Sequence, residues 1–278
     1  MIQADETPLL VNKDGRPAGS KSYMWVYRTG KYQTDRQVIL YDYQKTRKAD
    51  HPREFLKDFR GVCVTDGYQV YHTLEGELED LEISGCWAHS RRRYDEAVKA
   101  LPKSEQKMSL AYLALSQIQR IYHEEAKLQD MTPAERRKHR QKFIKPLVDA
   151  YFNWIRINID KVMPKSKTHN GMTYSPNQEK YLRRFLDDGE IPIDNNAAEQ
   201  SIRSFCIVKK NWVMCDTING VKSSAIIYSL VETAKANKLR LYEYFNYLLT
   251  EIPEHMDDKN NDFCEKLLPW SDKLPAEC

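Results

Sequence analysis

A chain of 278 residues is long enough for one large domain or two smaller ones with a real core. Its 41 % apolar and 30 % charged content, with a net charge of only +3, describes a soluble globular protein and leaves any case for nucleic-acid binding to local clusters: Arg91-Arg92-Arg93, Arg136–Arg140 and Lys209-Lys210. No apolar run approaches the roughly 18 residues of a membrane span, the N-terminus lacks the regions of a secretory signal, and six scattered cysteines without a C-x-x-C pair predict reduced thiols in a cytosolic protein.

Ile2–Val11 reads as a strand broken around Pro8, with Asp5 near its start. Lys13–Lys21 concentrates Gly, Pro and charge and reads as a loop. Tyr23–Tyr27 alternates aromatic with apolar residues, as a strand does, and Arg36–Tyr43 is a third strand. Asp50–Phe59 is predicted as a helix with Phe55, Leu56 and Phe59 on one face, ended by Gly61. Val62–Thr65 has the pattern of a buried strand and delivers Asp66 at its carboxyl end, a common place for functional groups in α/β sheets. A plain Asp-Gly turn is the alternative.

The order β-β-β-α-β, with one acid on the first strand and another after the fourth, is the ribonuclease-H-like order. In such a sheet the first and fourth strands are neighbours, so Asp5 and Asp66 are expected to meet. Two adjacent carboxylates repel unless a cation neutralises them. A third carboxylate from a later helix would complete a two-metal site for phosphodiester chemistry.

Tyr68–Glu75 is predicted as a short helix, Leu81–Trp87 as a fifth strand and Ala88–Leu101 as a helix. Cys86-x-x-His89 has zinc-like spacing, but zinc takes about four ligands and no second pair stands at a suitable distance in sequence. His89, Arg91 and Arg92 at this strand-to-helix junction fit phosphate contacts, with a solvated basic turn as the alternative. Lys103–Asp130 and Pro133–Val162 read as long helices forming an antiparallel hairpin. Leu110, Leu113, Ala114, Ile118 and Ile121 mark the buried face of the first; Phe143, Leu147, Ala150, Trp154 and Ile157 mark that of the second. Thr132-Pro133-Ala134-Glu135 is a helix start, and Arg136–Arg140 is expected on the solvated side. Lys161–Ser175 reads as a mobile loop and Gln178–Leu186 as a short helix.

Ile191–Arg203 opens like a helix, with Asp194 or Asn195 as N-cap and Ala198, Ile202 and Phe205 on its buried face. Glu199 lies off that stripe and Arg203 follows one turn later, an ordinary surface pair unless the two aspartates reach the glutamate. Arg203 is also placed to meet a DNA phosphate. Lys209, Lys210 and Trp212 are placed to grip a nucleic-acid backbone or stack on a base, with core packing as the alternative for Trp212. Ile226, Ile227, Leu230, Val231 and Ala234 predict an amphipathic helix covering the sheet. Beyond Pro253 an acidic, polar stretch reads as a flexible link to a Leu267–Trp270 tail.

Several of these stretches resemble one family. Ala4–Thr7 (ADET), Thr65–Tyr71 (TDGYQVY), Gly85–Arg93 (GCWAHSRRR), Asp194–Arg203 (DNNAAEQSIR), Lys210–Trp212 (KNW), Tyr228–Leu239 (YSLVETAKANKL) and Leu267–Trp270 (LLPW) are similar, in order, to the transposases of the insertion-sequence-66 family. The resemblance covers nearly the whole chain. It implies a DDE-type core in which Asp5, Asp66 and Glu199 hold two Mg²⁺ ions, with Mn²⁺ able to substitute, and in which DNA is cleaved at transposon ends and joined to target DNA. Asn195, Asn196 and Arg203 then flank the glutamate beside DNA. The expected setting is the bacterial cytoplasm at the nucleoid, with self-association and accessory proteins of the same element as further partners.

The expected architecture is α/β: a ribonuclease-H-like mixed five-stranded sheet flanked by helices. It comprises a sheet region (1–101), a helical insertion between the second and third acids (102–190), a closing catalytic and packing segment (191–252) and a tail (253–278). Family members carry a long N-terminal region before the first aspartate. This chain begins four residues before Asp5, so it is expected to be the catalytic and C-terminal part. Two other functions fit the same residues: a metal-dependent nuclease without strand transfer, and an inactive remnant that binds DNA or interferes with full-length enzyme.

Overall fold

The structure, a computed structural model, describes all 278 residues. The chain begins with three strands, β1 (Ile2–Lys13), β2 (Lys21–Thr29) and β3 (Ile39–Gln44). Next come α1 (Asp50–Leu56), β4 (Gly61–Val64), α2 (Gln69–Glu77), β5 (Leu81–Ser84) and α3 (Trp87–Lys99). The helical middle consists of α4 (Lys103–Gln106), α5 (Leu110–Ala126), α6 (Pro133–His139), α7 (Lys145–Asn158), α8 (Lys167–Asn177) and α9 (Glu179–Arg183). The chain closes with α10 (Asn196–Trp212), β6 (Met214–Thr217), α11 (Ile218–Ala236), α12 (Leu241–Glu254) and α13 (Cys264–Leu267). No helix is long and apolar enough to cross a membrane.

The fold is mixed α/β, with six strands rather than the expected five. It divides into two compact units, one of Ile2–Lys48 with Ala197–Cys278, the other of Ala49–Asn196 with Met1.

In the first unit β1, β2 and β3 form an antiparallel meander, with Asp5 opposite Val26. The unexpected strand β6 is only four residues long and pairs in parallel with β1, Leu10 opposite Met214. The core joins Leu9, Val11, Met24, Val26 and Tyr41 of the strands to Ile202 and Phe205 of α10 and Val221 and Ala225 of α11. The predicted stripe Ala198, Ile202, Phe205 is buried.

Of the expected stripe on α11, Ala234 is buried and Leu230 and Val231 are half-buried, but the helix meets β3 through other residues. Ile226 and Ile227 are exposed, whereas Thr233 is buried and its hydroxyl both accepts from Ile39 N–H (2.9 Å) and donates to Ile39 C=O (3.0 Å). Ser229 Oγ accepts from Tyr41 N–H at 2.8 Å. The helix thereby satisfies groups of edge strand β3 that would otherwise invite another strand. The C-terminal stretch is packed rather than a free link. Ala234, Tyr244, Leu248 and Leu267 form a small core, and Tyr244 donates to Leu267 C=O at 2.8 Å.

In the second unit β4 and β5 are parallel, Val64 opposite Ser84, joined through α2. The expected insertion 102–190 has no separate core. Its Ala114, Ile118, Tyr151, Phe152 and Phe185 pack with Val64, Trp87 and Tyr94 in one cluster. The hairpin forms, but its second half is a composite: α6, one π-helical turn at Arg140–Ile144, then α7. Pro146 has no N–H to continue an α-helical ladder, and Lys145 N–H bonds instead to Arg140 C=O. The buried positions are Ile144, Val148, Tyr151, Phe152 and Ile155; the predicted Phe143 and Ile157 face out. On α5 the buried stripe is Ala111, Ala114, Leu115, Ile118 and Ile121, with Leu113 exposed.

Two further expectations are corrected here. Lys161–Ser175 is not a loop throughout, since α8 starts at Ser166, whose hydroxyl accepts from His169 N–H at 3.1 Å. Gly171 lets α8 approach α3, because a Cβ there would stand 2.9 Å from the Tyr94 ring. The run Arg136–Arg140 is not all solvated either. Arg136 is buried and donates to Gly189 C=O (2.6 Å) and Met131 C=O (2.8 Å). Arg140, fully buried, pairs with Glu125 and donates to the carbonyls of Phe185 (2.7 Å) and Asp188 (2.8 Å).

Candidate metal and nucleic-acid site

Asp5 and Glu199 belong to the first unit, on β1 and in the first turn of α10. Two contacts orient these elements. Thr7 Oγ1 meets Cys206 Sγ at 3.3 Å, and Lys209 Nζ donates to Pro8 C=O at 2.6 Å. Strand and helix therefore run in the same direction. Asp5 and Thr7 share one face of the strand, two residues apart. Glu199 and Cys206 share one face of the helix, two turns apart. Because Thr7 and Cys206 touch, the two acids project from facing surfaces at the same end of the β1–α10 pair.

The neighbouring Glu6 points to the opposite face, where Arg47 Nε donates to it at 2.6 Å. The start of α10 is held from β2 and β3. Arg28 Nη1 donates to Ala197 C=O (3.1 Å) and Ser201 Oγ (3.3 Å), and Tyr41 donates to Ser201 C=O (2.6 Å). Burial pushes the Tyr41 phenol far above its usual range, so it remains a donor. Sequence reasoning did not find Arg28 or Tyr41, since the α10 groups they hold are remote from them in sequence.

Asp66 lies in the second unit, two residues beyond β4, and is half-buried. Its Oδ1 accepts from Tyr68 N–H at 2.8 Å, an Asx-turn that fixes the carboxylate at the strand end. α8 covers the next residue: a Cβ on Gly67 would stand 2.7 Å from the Tyr174 hydroxyl and 3.3 Å from the Gln178 carboxamide. His72 on α2 stacks on Tyr181 with ring centroids 3.9 Å apart. Burial holds its imidazole below the usual range, against the pull of Glu75 and Asp66.

The stretch leading to α10 is tied down along its length. Gly85 N–H donates to Tyr181 C=O (3.0 Å), Trp87 Nε1 to Leu182 C=O (2.7 Å), Trp87 N–H to Ile193 C=O (3.2 Å) and Asn195 N–H to Cys86 Sγ (3.2 Å). Asp194 accepts from Asn196 N–H at 3.1 Å and from the Tyr122 hydroxyl at 3.1 Å. The Asp194 bond to Asn196 N–H is an Asx-turn immediately before the helix.

The expected DNA contacts separate by exposure. Arg91 and Arg92 are exposed on α3 and His89 is half-buried, with Arg92 Nη1 3.5 Å from its Nε2. Asn196, Arg203 and Lys210 are exposed. Asn195 is fully buried, so its side chain is not open to a DNA partner, contrary to expectation. Lys209 is engaged at Pro8, as above. Trp212 is half-buried and packs edge-on against Phe205 with centroids 5.6 Å apart, which is the core-packing alternative.

Comparison with known proteins bears on these residues. The transposase IS66 family matches residues 1–223, and the IS66 C-terminal element matches residues 229–270. The chain belongs to the IS66 transposase family. Among curated relatives, the uncharacterized protein y4qI of Sinorhizobium fredii (strain NBRC 101917 / NGR234) is 29 % identical, over 99 % of this chain and 51 % of its own length. The uncharacterized protein y4jD of the same strain is 26 % identical, over 84 % of this chain and 45 % of its own. The chain thus spans about half the length of the curated relatives it matches. Asp5, Asp66 and Glu199 all fall within the segment matched to the family.

Proposed function

We propose that this chain is the catalytic core of a DNA transposase with a ribonuclease-H-like fold. It would cut DNA at the ends of a mobile element and join the freed 3′ end to target DNA, using Asp5, Asp66 and Glu199 as ligands for Mg²⁺, or Mn²⁺ in its place. One observation carries the metal reading: Asp5 and Glu199 project from facing surfaces of β1 and α10. Carboxylates that converge repel each other unless a hard divalent cation neutralises them. Asp66, fixed by its Asx-turn after β4, has the same oxygen chemistry. The β-β-β-α-β order and family membership support the fold and the reaction class.

When bound, such ions activate a water or a 3′-hydroxyl and stabilise the leaving 3′ oxygen. The protein's own part is to hold the acids in place and the DNA in register. Arg28 and Tyr41 fix the start of the Glu199 helix, and the exposed Arg91, Arg92, Arg203 and Lys210 offer cations to phosphates. The setting is the bacterial cytoplasm; the partners are transposon-end and target DNA, further copies of the chain and accessory proteins of the element.

Two measurements test this. Calorimetric titration with Mn²⁺ should show binding that Asp5→Asn and Glu199→Gln each abolish. A pre-cleaved transposon-end duplex, incubated with Mg²⁺ and plasmid, should give joined products. Cleavage without joining would leave a nuclease; DNA binding without metal-dependent cleavage, unaffected by Asp66→Asn, would leave a DNA-binding remnant.

A further inference from the structure

Two tyrosines of the helical middle touch two short turns: the one that carries Asp66 and the one at Asp194–Asn196 that opens α10. We propose that Tyr122 and Tyr174 are positioning residues, which fix the turn Asp194–Asn196 that opens α10 and the turn carrying Asp66. The inference rests on the metal reading above for its catalytic meaning, but its structural content stands on contacts of the second unit alone.

Tyr122 on α5 acts through the carboxylate of the Asx-turn before α10. Its hydroxyl donates to Asp194 Oδ2 at 3.1 Å. The same carboxylate accepts from the backbone N–H of Asn196 at 3.1 Å and from its Nδ2 at 2.9 Å. Asn196 is the first residue of α10, and Glu199 follows within the same turn. A turn oxygen that is itself held by a third group cannot rotate away, so the Asp194–Asn196 turn keeps one conformation. Burial, and then the nearby Asp194 carboxylate, push the Tyr122 phenol well above its usual range, which keeps the proton on the donor.

Tyr174 on α8 acts by contact. Its hydroxyl lies 2.7 Å from the place a Cβ on Gly67 would occupy, and Gln178 closes the same space at 3.3 Å. The residue after Asp66 is therefore seated against α8 with no room for a side chain. The Arg93 guanidinium stacks over the Tyr174 ring, 4.1 Å from its centroid, and holds the ring in place. The helical middle thus holds the Asp66 turn and the turn that opens α10 rather than being an inert insertion.

The test uses the full chain and two readouts, backbone hydrogen exchange and Mn²⁺ titration. Tyr122→Phe removes one hydrogen bond from Asp194, and Gly67→Ala forces the Asp66 turn off Tyr174. The expected result is faster exchange confined to residues 194–199 in the first variant and 66–68 in the second, with melting temperatures within a few degrees of the parent. Each variant should bind Mn²⁺ about 10-fold more weakly, as loss of a supporting partner does at metal sites. Adding Tyr174→Phe to Gly67→Ala removes the colliding hydroxyl and should recover most of both losses, which a merely destabilised chain would not do. Unchanged exchange at both turns, or a double variant no better than Gly67→Ala, overturns the inference. Asp66→Asn and Glu199→Gln serve as controls: if they bind Mn²⁺ like the parent, the metal reading fails, while hydrogen exchange still decides the role of the tyrosines.

Discussion

Arg140 offers the most quantitative test of how the helical unit is held together. Its guanidinium is fully buried on the π-helical turn, with Nε donating to Glu125 Oε2 at 3.0 Å, Nη1 donating to Phe185 C=O and Asp188 C=O, and its plane 5.1 Å from the Phe185 ring centroid. Arg140→Ala leaves the Glu125 carboxylate, only 7 % exposed, without its cation, and leaves two carbonyls without their donor. Breaking one side of a buried pair costs about 3–5 kcal/mol. At roughly 2–4 °C per kcal/mol for a unit of this size, the melting temperature should fall by about 10 °C. Replacing both partners, Arg140→Met with Glu125→Leu, removes the stranded charge and leaves only the two carbonyls short of donors, about 1–3 kcal/mol. Urea titration followed by circular dichroism measures all three stabilities. An Arg140→Ala loss below about 1 kcal/mol would refute the burial argument. So would a double variant as unstable as the single one, because a stranded charge would then not be the cause.

Other expectations follow from separate regions of the molecule. At Glu75, burial raises the pKa, but the Ile83 N–H, Lys180 and Arg184 together outweigh it and hold the carboxyl below its usual range. A carboxyl depressed in the folded state contributes stability that is present above its unfolded pKa and is lost as pH falls through the folded one. Stability measured from pH 7 downward should therefore drop below about pH 4.5, and Glu75→Gln should flatten that limb. Val213, which ends α10 at φ +60°, is a β-branched residue in the left-handed region; Val213→Gly should stabilise by about 1 kcal/mol in thermal melts. If Arg91 and Arg92 each hold a phosphate, the double alanine variant should lower the slope of log K against log salt by about 2, and an unchanged slope would mark them as merely solvated.

The parts of this fold visible in sequence are those written in local pattern. β1, β2 and β3 announce themselves by alternation and α10 by its Ala198–Ile202–Phe205 stripe and the short polar residues before it. The hairpin was visible as a hairpin, but its phase was not. Two apolar stripes, from Phe143 and from Ile144, overlap one residue apart, and the π-turn that chooses between them depends on Pro146 and on the distant partners of Arg140. α8 was hidden because its composition is polar and its packing relies on an absent side chain, Gly171 against Tyr94. The face of α11 was legible only in part because it meets β3 with hydroxyls, Ser229 and Thr233, rather than with its isoleucines. Charge runs misled in the same way: Arg136 and Arg140 look solvated until their carbonyl partners are known. Of the candidate site, the three acids proposed as ligands could be singled out by residue type and place, Asp5 near the start of β1, Asp66 just past β4 and Glu199 in the first turn of α10, whereas Arg28, Tyr41, Tyr122 and Tyr174 carry no local signal.

That asymmetry has a chemical reason. Metal ligands must be carboxylates or their equivalents, so they stand out by residue type, and only a few positions in a chain present one at a strand end or a first helical turn. What makes them useful is rigidity, since a ligand held within a fraction of an ångström needs no reorganisation when charge develops. Rigidity can be supplied by any residue that reaches the right backbone atom. At α10 it comes from the strands of the same unit, Arg28 and Tyr41, through three hydrogen bonds of 2.6–3.3 Å. None of these bonds involves the Glu199 carboxylate. If Glu199 is a metal ligand, substituting Arg28 or Tyr41 should therefore degrade metal affinity while leaving the acid itself intact, the pattern that separates a positioned ligand from a surface glutamate that happens to sit on a helix.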